Sequence, residues 1–475
     1  MHNNNSAIAS ITDKFHWIQQ QPELLFFMHI FNARIVGGAV RNTLLDLPIT
    51  GEIDLATPFT PDEITYIADI MHLKHIPTGI EHGTITILGR HYSKSYLEYM
   101  KEILAKILEE QGSITKQPKI QSAVQFAIEQ ACKFFINNFD KMQSKFTDPS
   151  DRVYEFTTLR ADVETDGRHA KIAFTKDWKT DAERRDFTIN ALYADVNGTV
   201  HDLINGLQDI YTHYIRFVGE PNLRIQEDYL RILRFFRFNA HYGSDEYEKW
   251  DKPGLNACLN NVAGLKQISQ ERIFAELYKM FKGTHALIAI ELMDKCNIIN
   301  TLNWPKINKE KMNSLAQAIV TYHKNLDKWN TLLSEAVFAT FDGDWNILKM
   351  PKKTLQTIQS LQNQTCKQIS DWYKACYKHG IDWVYAKILL DNVQISLTRD
   401  NWLSNLESLV ISTDAHANFV FPVTGQDIID VLECKPGPII GQMHSKLLNW
   451  WLEGLCQADR DACLTYLKQL VHELH

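Results

Sequence analysis

No stretch of this chain is apolar for long enough to cross a bilayer as a helix, which excludes an integral helical membrane protein. The N-terminal residues lack a basic segment followed by an apolar one and a small-residue cleavage site, so no secretory leader is expected and the expected location is the cytoplasm. Cysteine occurs eight times, but never as CxxC and never with histidines at ligand spacing. That pattern argues against a zinc centre and for reduced, structural thiols. An excess of positive charge is missing too. The formal net charge of -7 opposes broad, indiscriminate binding to nucleic acid while leaving room for a local basic strip. Internal repeats and low-complexity tracts are absent. What is present is a globular composition, 45% apolar over 475 residues, too long for one ordinary core and suited to two or three domains.

The most telling segment is short. Ala33-Arg34-Ile35-Val36 is mostly apolar and partly β-branched, and is predicted to form a strand ending at Gly37-Gly38. Glycines let backbone N–H groups approach an anion without interference from Cβ, and a helix suggested by Val40 to Leu47 would aim its positive end at the same place. Glu52-Ile53-Asp54-Leu55-Ala56-Thr57 follows. On an extended segment Glu52 and Asp54 lie two residues apart, so their carboxylates project from one face of a sheet. Oxygen donors on one face suit magnesium, which leaves positions open for phosphates and water. A glycine pair alone is an ordinary turn, and an acidic pair alone an ordinary solvated strand face. Their combination points to nucleotidyl transfer.

Three later segments carry matching chemistry. Val153-Tyr154-Glu155-Phe156-Thr157-Thr158-Leu159-Arg160 has strand-forming residues and offers Glu155 as a third carboxylate on a neighbouring strand. Glu183-Arg184-Arg185-Asp186-Phe187-Thr188-Ile189-Asn190 combines guanidinium groups, which bind phosphates by forked hydrogen bonds, with Asp and Asn, which accept from ribose hydroxyls. The alternative is a helix start with a surface ion pair. From Arg224 to Phe238 a helical pattern places Glu227 and Arg231 at i, i+4 on one face.

Taken in order, Gly-Gly-Ala-Val-Arg, Glu-Ile-Asp-Leu-Ala-Thr, Arg-Arg-Asp-Phe-Thr-Ile-Asn-Ala and Glu-Asp-Tyr-Leu-Arg-Ile-Leu-Arg resemble the class II tRNA nucleotidyltransferases. These are the CCA-adding enzymes and their relatives, the bacterial poly(A) polymerases. The likeness runs from about Arg34 to Ile273 and returns weakly at Phe421 to Asp427 and Lys435 to Gly441. It implies an α+β fold, with a polymerase-beta-like nucleotidyltransferase head of mixed sheet and helices, followed by an all-helical neck, body and tail. By matching position, Glu52 and Asp54 would hold Mg2+ in a two-metal mechanism; Glu155, from its place on a neighbouring strand, would complete a catalytic cluster of three carboxylates. Gly37, Gly38 and Arg41 would hold the triphosphate, and Arg185, Asp186 and Asn190 the ribose and phosphates. Glu227, Asp228 and Arg231, with Arg234, would serve as an amino-acid template for CTP and ATP. A carboxylate accepts from an exocyclic amino group and a guanidinium donates to ring acceptors, a pattern that suits cytosine and adenine but not uracil or guanine. The implied activity is template-independent addition of CCA to tRNA. Polyadenylation of RNA is the nearest alternative, and a catalytically weak tRNA-binding relative is the second. The family most often has Asp where this chain has Glu52 and Asn42, so a re-tuned activity is expected.

The expected domains are a head at 1-215 with a helical insertion at about 92-152, a neck at 216-285 that carries the nucleotide-selecting motif, and a tRNA-binding body and tail at 286-475. The oligomeric state is open. Phe15, Ile18, Leu24 and Phe27 are candidate core positions of an N-terminal helical region. The insertion is predicted as a helical hairpin, either an embellishment or an RNA or partner contact. Ala161 to Arg168, continued by Phe174 to Trp178, resembles the family's flexible loop, which in full-length form goes with complete CCA addition. In the helical half, Lys306, Lys309 and Lys311, then Lys349, Lys352 and Lys353, then Lys367, Lys374 and Lys378 either track RNA or are solvated helix faces. Helix breaks are expected near Pro305, Pro351, Gly380 and Pro436 to Pro438.

Overall fold

The computed structural model describes residues 11–49, 53–79, 83–89, 98, 101–102, 104–105, 122–140, 153–166, 169–321, 331–391, 404 and 420–472. By internal contacts the chain divides into two units, Met1–Ile268 and Ser269–His475, so most of the expected neck belongs with the head.

Nine strands occur among the described residues of the first unit: β1 (Arg34–Val36), β2 (Ile53–Thr57), β3 (His75–Gly79), β4 (Thr84–Leu88), β5 (Val153–Thr158), β6 (Arg160–Asp166), β7 (His169–Phe174), β8 (Leu192–Ala194) and β9 (Val200–Asp202). Seven of them form one sheet in the order β3-β4-β5-β2-β1-β8-β9. The sheet is mixed, because β2 runs parallel to β5 while β1 pairs antiparallel with both β2 and β8. Alternation along β5 decides its two faces: Tyr154, Phe156 and Thr158 are buried, whereas Val153, Glu155 and Thr157 are partly exposed. The buried face meets the helix Pro22–Ile30, which starts on a proline suited to a first helical turn. Phe27 packs on Tyr154 at 5.0 Å between ring centroids, and Phe31 on Phe156 at 4.5 Å. Phe15, Ile18, Leu24 and Phe27 are all buried, as their spacing anticipates. The other face of the sheet carries Asp54 and Glu155.

Within the insertion, the helix Ser122–Asn137 packs against the helix Pro22–Ile30. Phe135, 2% exposed, meets Phe26 edge-on at 5.4 Å, and Phe134 lies 4.7 Å from the His29 ring. This helix is therefore part of the core layer behind the sheet. The other arm of the expected hairpin lies mostly outside the described residues.

The segment expected as a polar loop is a β-ribbon of β6 and β7, with a register shift between Asp162 and Glu164. Its charged residues fall at every second position, Asp162, Glu164 and Asp166, which is a strand signature that polarity masks. A second difference lies at the neck. The helical pattern from Arg224 to Phe238 is two helices, Pro221–Glu227 and Leu230–Tyr242, separated by an extended Asp228 at φ -154, ψ 104.

The described residues of the second unit are mostly helical, with one short ribbon of β10 (Lys306–Ile307) and β11 (Phe341–Asp342). Phe281, Phe338, Phe341 and Trp345 form its aromatic centre, with Phe338 and Trp345 rings 4.9 Å apart. A further core gathers Phe421, Ile428, Met443, Leu447, Trp451 and Leu467 near the C-terminus. Helices begin after Pro351, break at Gly380, whose φ is 89°, and restart at Pro438. Among the lysine clusters, Lys311, Lys349 and Lys374 pair with Asp342, Glu271 and Glu453 on the surface. The eight cysteines are free thiols, and no described helix is long and apolar enough to cross a membrane.

If the insertion helix is core, Phe135→Ala should cost roughly 3 kcal/mol, the usual penalty for emptying a buried aromatic site. Urea unfolding of the full chain measures it; a loss below about 0.5 kcal/mol, the scale of an ordinary surface substitution, would make the helix an ornament.

Candidate active site

The pairing of Ile35 with Leu55 puts Gly37, two residues beyond Ile35, and Asp54, one before Leu55, at the same end of the β1–β2 pair. Gly37 adopts φ 71°, open to glycine and strained for a residue with a side chain, and is followed by the helix Gly38–Leu44. That helix begins two residues earlier and ends three earlier than the Val40 to Leu47 pattern implies. On the other side of β2 the parallel ladder sets Asp54 opposite Glu155. Register partners share a face, so the two carboxylates project together, Asp54 exposed and Glu155 partly so. Glu52 lies outside the described residues. Among the described residues no group of three His, Cys, Asp or Glu side chains is arranged to hold a metal. Of the three carboxylates expected there, Asp54 and Glu155 are the two that lie among the described residues.

Behind the glycine turn a hydrogen-bonded chain runs from Arg41 to Arg234. Arg41 Nη1 donates to Asn190 Oδ1 at 2.6 Å, and Asn190 Nδ2 donates to Asp186 Oδ1 at 3.1 Å. Asp186 Oδ2 accepts from Arg234 Nε at 2.8 Å and also from Arg234 Nη2. Burial alone would raise the Asp186 carboxyl, but the Arg234 guanidinium and the hydrogen bonds from Asn190, Arg234 and the Phe187 amide bring it down to about 2. Arg41 is buried and stacks on Tyr242 at 4.0 Å; its Nη2 donates to the Tyr242 hydroxyl at 2.8 Å and to Asn42 Oδ1 at 3.0 Å. Burial lowers its pKa. Each of its hydrogen-bond partners is neutral, and its Nε has none. Asn42 uses both ends of its amide, since Nδ2 donates to the Pro48 carbonyl at 3.0 Å, which a carboxylate could not do.

Glu227 is held from both sides. Arg224 Nη1 reaches its two carboxylate oxygens at 2.7 and 2.8 Å, and Arg231 Nη1 donates to Oε2. Arg224 Nη2 also donates to the Arg185 carbonyl at 2.9 Å, tying this motif to the arginine pair. Asp228 Oδ1 accepts from the Leu230 amide at 3.1 Å.

Residues 33–130 and 114–216 match a family model described as the poly A polymerase head domain, and residues 253–310 one described as a probable RNA and SrmB-binding site of polymerase A. The chain is 30% identical over 452 residues to the mitochondrial CCA tRNA nucleotidyltransferase 1 of Danio rerio, covering 94% of this chain and 89% of the relative. To the CCA-adding enzyme of Streptococcus gordonii it is 27% identical, covering 92% and 94%. Its fold matches a crystal structure of the Bacillus stearothermophilus CCA-adding enzyme in complex with CTP, at a TM-score of 0.59 and 19% identity, covering 95% of this chain and 98% of that one. The chain belongs to the CCA-adding tRNA nucleotidyltransferase family.

In this CCA-adding family member the described residues expected at the site fall into three groups. Asp54 and Glu155 stand on the sheet; Arg41, Asn190, Asp186 and Arg234 form the chain behind the glycine turn; Glu227, Arg231 and Asp228 surround the helix break. Arg185 joins none of these through its side chain. It donates to Asp181 Oδ2 at 3.0 Å and to the Tyr193 hydroxyl at 3.2 Å, while Arg184 binds the other oxygen of the same buried Asp181. Burial disfavours that carboxylate, yet the two guanidiniums and the Tyr193 hydroxyl hold its pKa below the usual range. Asp181, Tyr193, Arg224 and Tyr242 escape sequence reasoning as site residues. Arg224, spaced i, i+3 from Glu227, and Asp181, spaced i, i+3 and i, i+4 from Arg184 and Arg185, carry a local signal; the two tyrosines carry none.

A depressed Asp186 pKa makes a pH prediction. Between the ordinary carboxylate value of 3.8 and about 2 the unfolded chain binds the proton and the folded one does not, so stability falls as pH drops through this window. The loss should total roughly 2 kcal/mol and vanish in Asp186→Asn. Unfolding free energies measured across pH 5 to 2 check this; equal slopes in the two proteins would refute it.

Proposed function

We propose that this chain extends the 3′ end of tRNA by C, C and A from CTP and ATP without a nucleic-acid template, through attack of the primer hydroxyl on the α-phosphate. The observation that carries the proposal is the register of β2 on β5, which brings Asp54 and Glu155 side by side at the end of the strands where Gly37-Gly38 turns. Two carboxylates on adjacent strands, one exposed and one partly so, are the donor chemistry a hard divalent cation takes. Asp54 and Glu155, with Glu52, would hold Mg2+, in a two-metal arrangement. Such an ion supplies Lewis acidity toward the phosphate and eases ionisation of the primer hydroxyl.

The chain's own residues do the rest. The backbone at Gly37-Gly38 leaves room for the triphosphate, because no Cβ stands between it and the amides. Arg41 keeps a positive charge with only neutral hydrogen-bond partners beneath that turn, which favours the arrival of an anion. Asn190 bridges Arg41 and Asp186, so the two fix the wall on which the ribose rests. Asp228 and Arg231 read the base edge, while Glu227, committed to Arg224 and Arg231, orients the reader. Arg185 braces the strand end through Asp181 and Tyr193 and reaches the nucleotide only through the wall it supports. Exposed lysines of the second unit, Lys306, Lys352, Lys353, Lys367 and Lys378 among them, would track the RNA backbone. We place this work in the cytoplasm, on the sequence expectation alone.

End-trimmed tRNA incubated first with labelled CTP and then with ATP tests the proposal. Two C and one A should be added in the presence of Mg2+, and Asp54→Asn should lower the rate by about a thousandfold or more, the scale of losing electrostatic support for the transition state. Long A tails without C would favour polyadenylation, and no addition in Mg2+ or Mn2+ would leave only an RNA-binding relative.

A further inference from the structure

The base-reading residues sit at a break between two helices, and a break needs a brace. Asp228 is the single extended residue there; Glu227 closes one helix, and Tyr229 precedes Leu230, the first residue of the next. The apolar side chains on either side, Ile225 and Leu230, are buried, so both helix ends are anchored, but neither anchor fixes the angle at Asp228.

One turn touches both sides of this break. Gly264 N donates to the Asn261 carbonyl at 2.9 Å, which makes residues 261–264 a single hydrogen-bonded turn at the start of the 3-10 helix Val262–Gln267. Toward the first helix, Asn261 Nδ2 donates to Asn222 Oδ1 at 3.0 Å, and Gln226 Nε2 donates to Asn261 Oδ1 at 3.3 Å. Toward the break itself, the Tyr229 ring lies directly on Gly264. A Cβ at Gly264 would stand 2.1 Å from Tyr229 Cδ1 and 2.3 Å from both Cε1 and Cγ. Contact with Cγ matters, because the root of a ring cannot swing clear as the tip of a flexible chain can. Only glycine admits the ring here without shifting residue 229.

We infer that the Asn261–Gly264 turn is a positioning brace for nucleotide selection, with Gly264 and Tyr229 as the specificity-determining contact that fixes Asp228 and Arg231 against the base edge. The inference rests on the reading of Asp228 and Arg231 as base readers. Arg231 N donates to the Asp228 carbonyl at 3.0 Å and the Leu230 amide to Asp228 Oδ1, so the backbone of both readers hangs from residues 228–231. A shift of residue 229 therefore moves both groups together. Hydrogen-bond selection between bases is steep in distance, so displacement by a fraction of an ångström weakens the correct pair while leaving the sheet carboxylates in place.

The test is a double-mutant cycle in the full chain: Gly264→Ala, Tyr229→Ala and the double variant, each assayed on end-trimmed tRNA with CTP, ATP, UTP and GTP separately. Gly264→Ala should raise KM for CTP and ATP and lower discrimination of CTP over UTP by about tenfold or more, with the affinity for tRNA unchanged. In the Tyr229→Ala background the added alanine should have no further effect, because the colliding ring is gone. Should Gly264→Ala fail to fold, Tyr229→Ala alone decides, since it adds no atoms: discrimination must fall by a similar factor. Unchanged discrimination in both single variants, or additive effects in the cycle, overturns the brace. Asp228→Ala separates the two readings. If it abolishes discrimination while Gly264→Ala and Tyr229→Ala do not, the brace alone is wrong; if it too leaves discrimination intact, the base-reading assignment beneath it is wrong.

Discussion

Everything in the head follows from one parallel pairing inside an otherwise antiparallel sheet. β2 and β5 lie side by side with Asp54 opposite Glu155, and this register is fixed from behind by what a slip would cost. Moving β5 by one residue would turn Tyr154 and Phe156 away from Phe27 and Phe31 and toward water, and would bury Glu155 in their place. The aromatic layer thus holds the carboxylates outward, and the insertion helix, through Phe135 and Phe26, thickens that layer.

Most arginines of the expected site are paired with carboxylates of the chain itself. Arg184 and Arg185 share Asp181, Arg234 is bound to Asp186, and Arg224 and Arg231 share Glu227. Buried guanidiniums without counter-charges would be costly, and paired they become rigid struts. Arg41 stands apart, with asparagines and a tyrosine as its hydrogen-bond partners. An Asp at position 42 would neutralise it; Asn42 keeps the hydrogen bond and leaves the charge to an arriving phosphate. Asn in place of Asp at position 42 thus bears on the electrostatics around Arg41 more than on its shape.

Much of this was legible in the sequence, and the reasons are specific. Gly37-Gly38, Asp54 and Glu155 announce themselves because phosphate and metal chemistry demand few residue types, and strand alternation then orients them. The N-terminal core residues and the helix breaks at Pro351, Gly380 and Pro438 follow from spacing and backbone restriction. Two local misreadings have a common cause, in that polarity and periodicity competed. Alternating acids in β6 looked like a loop, and an apolar rhythm running from Ile225 through Leu230 concealed the break at Asp228. Long-range partners were not legible at all. Tyr242 meets Arg41 from 201 residues away, and Asn190 from 149, distances over which no local pattern carries information.

The assignment of Asp54 and Glu155 as one cation site is tested most directly by Mn2+ binding to the full chain in the presence of CTP, followed by water proton relaxation. Asp54→Asn and Glu155→Gln should each weaken Mn2+ binding by about tenfold or more, at least the scale seen when groups surrounding a metal are removed. Unchanged Mn2+ affinity in Glu155→Gln would contradict the shared site, whatever its effect on turnover.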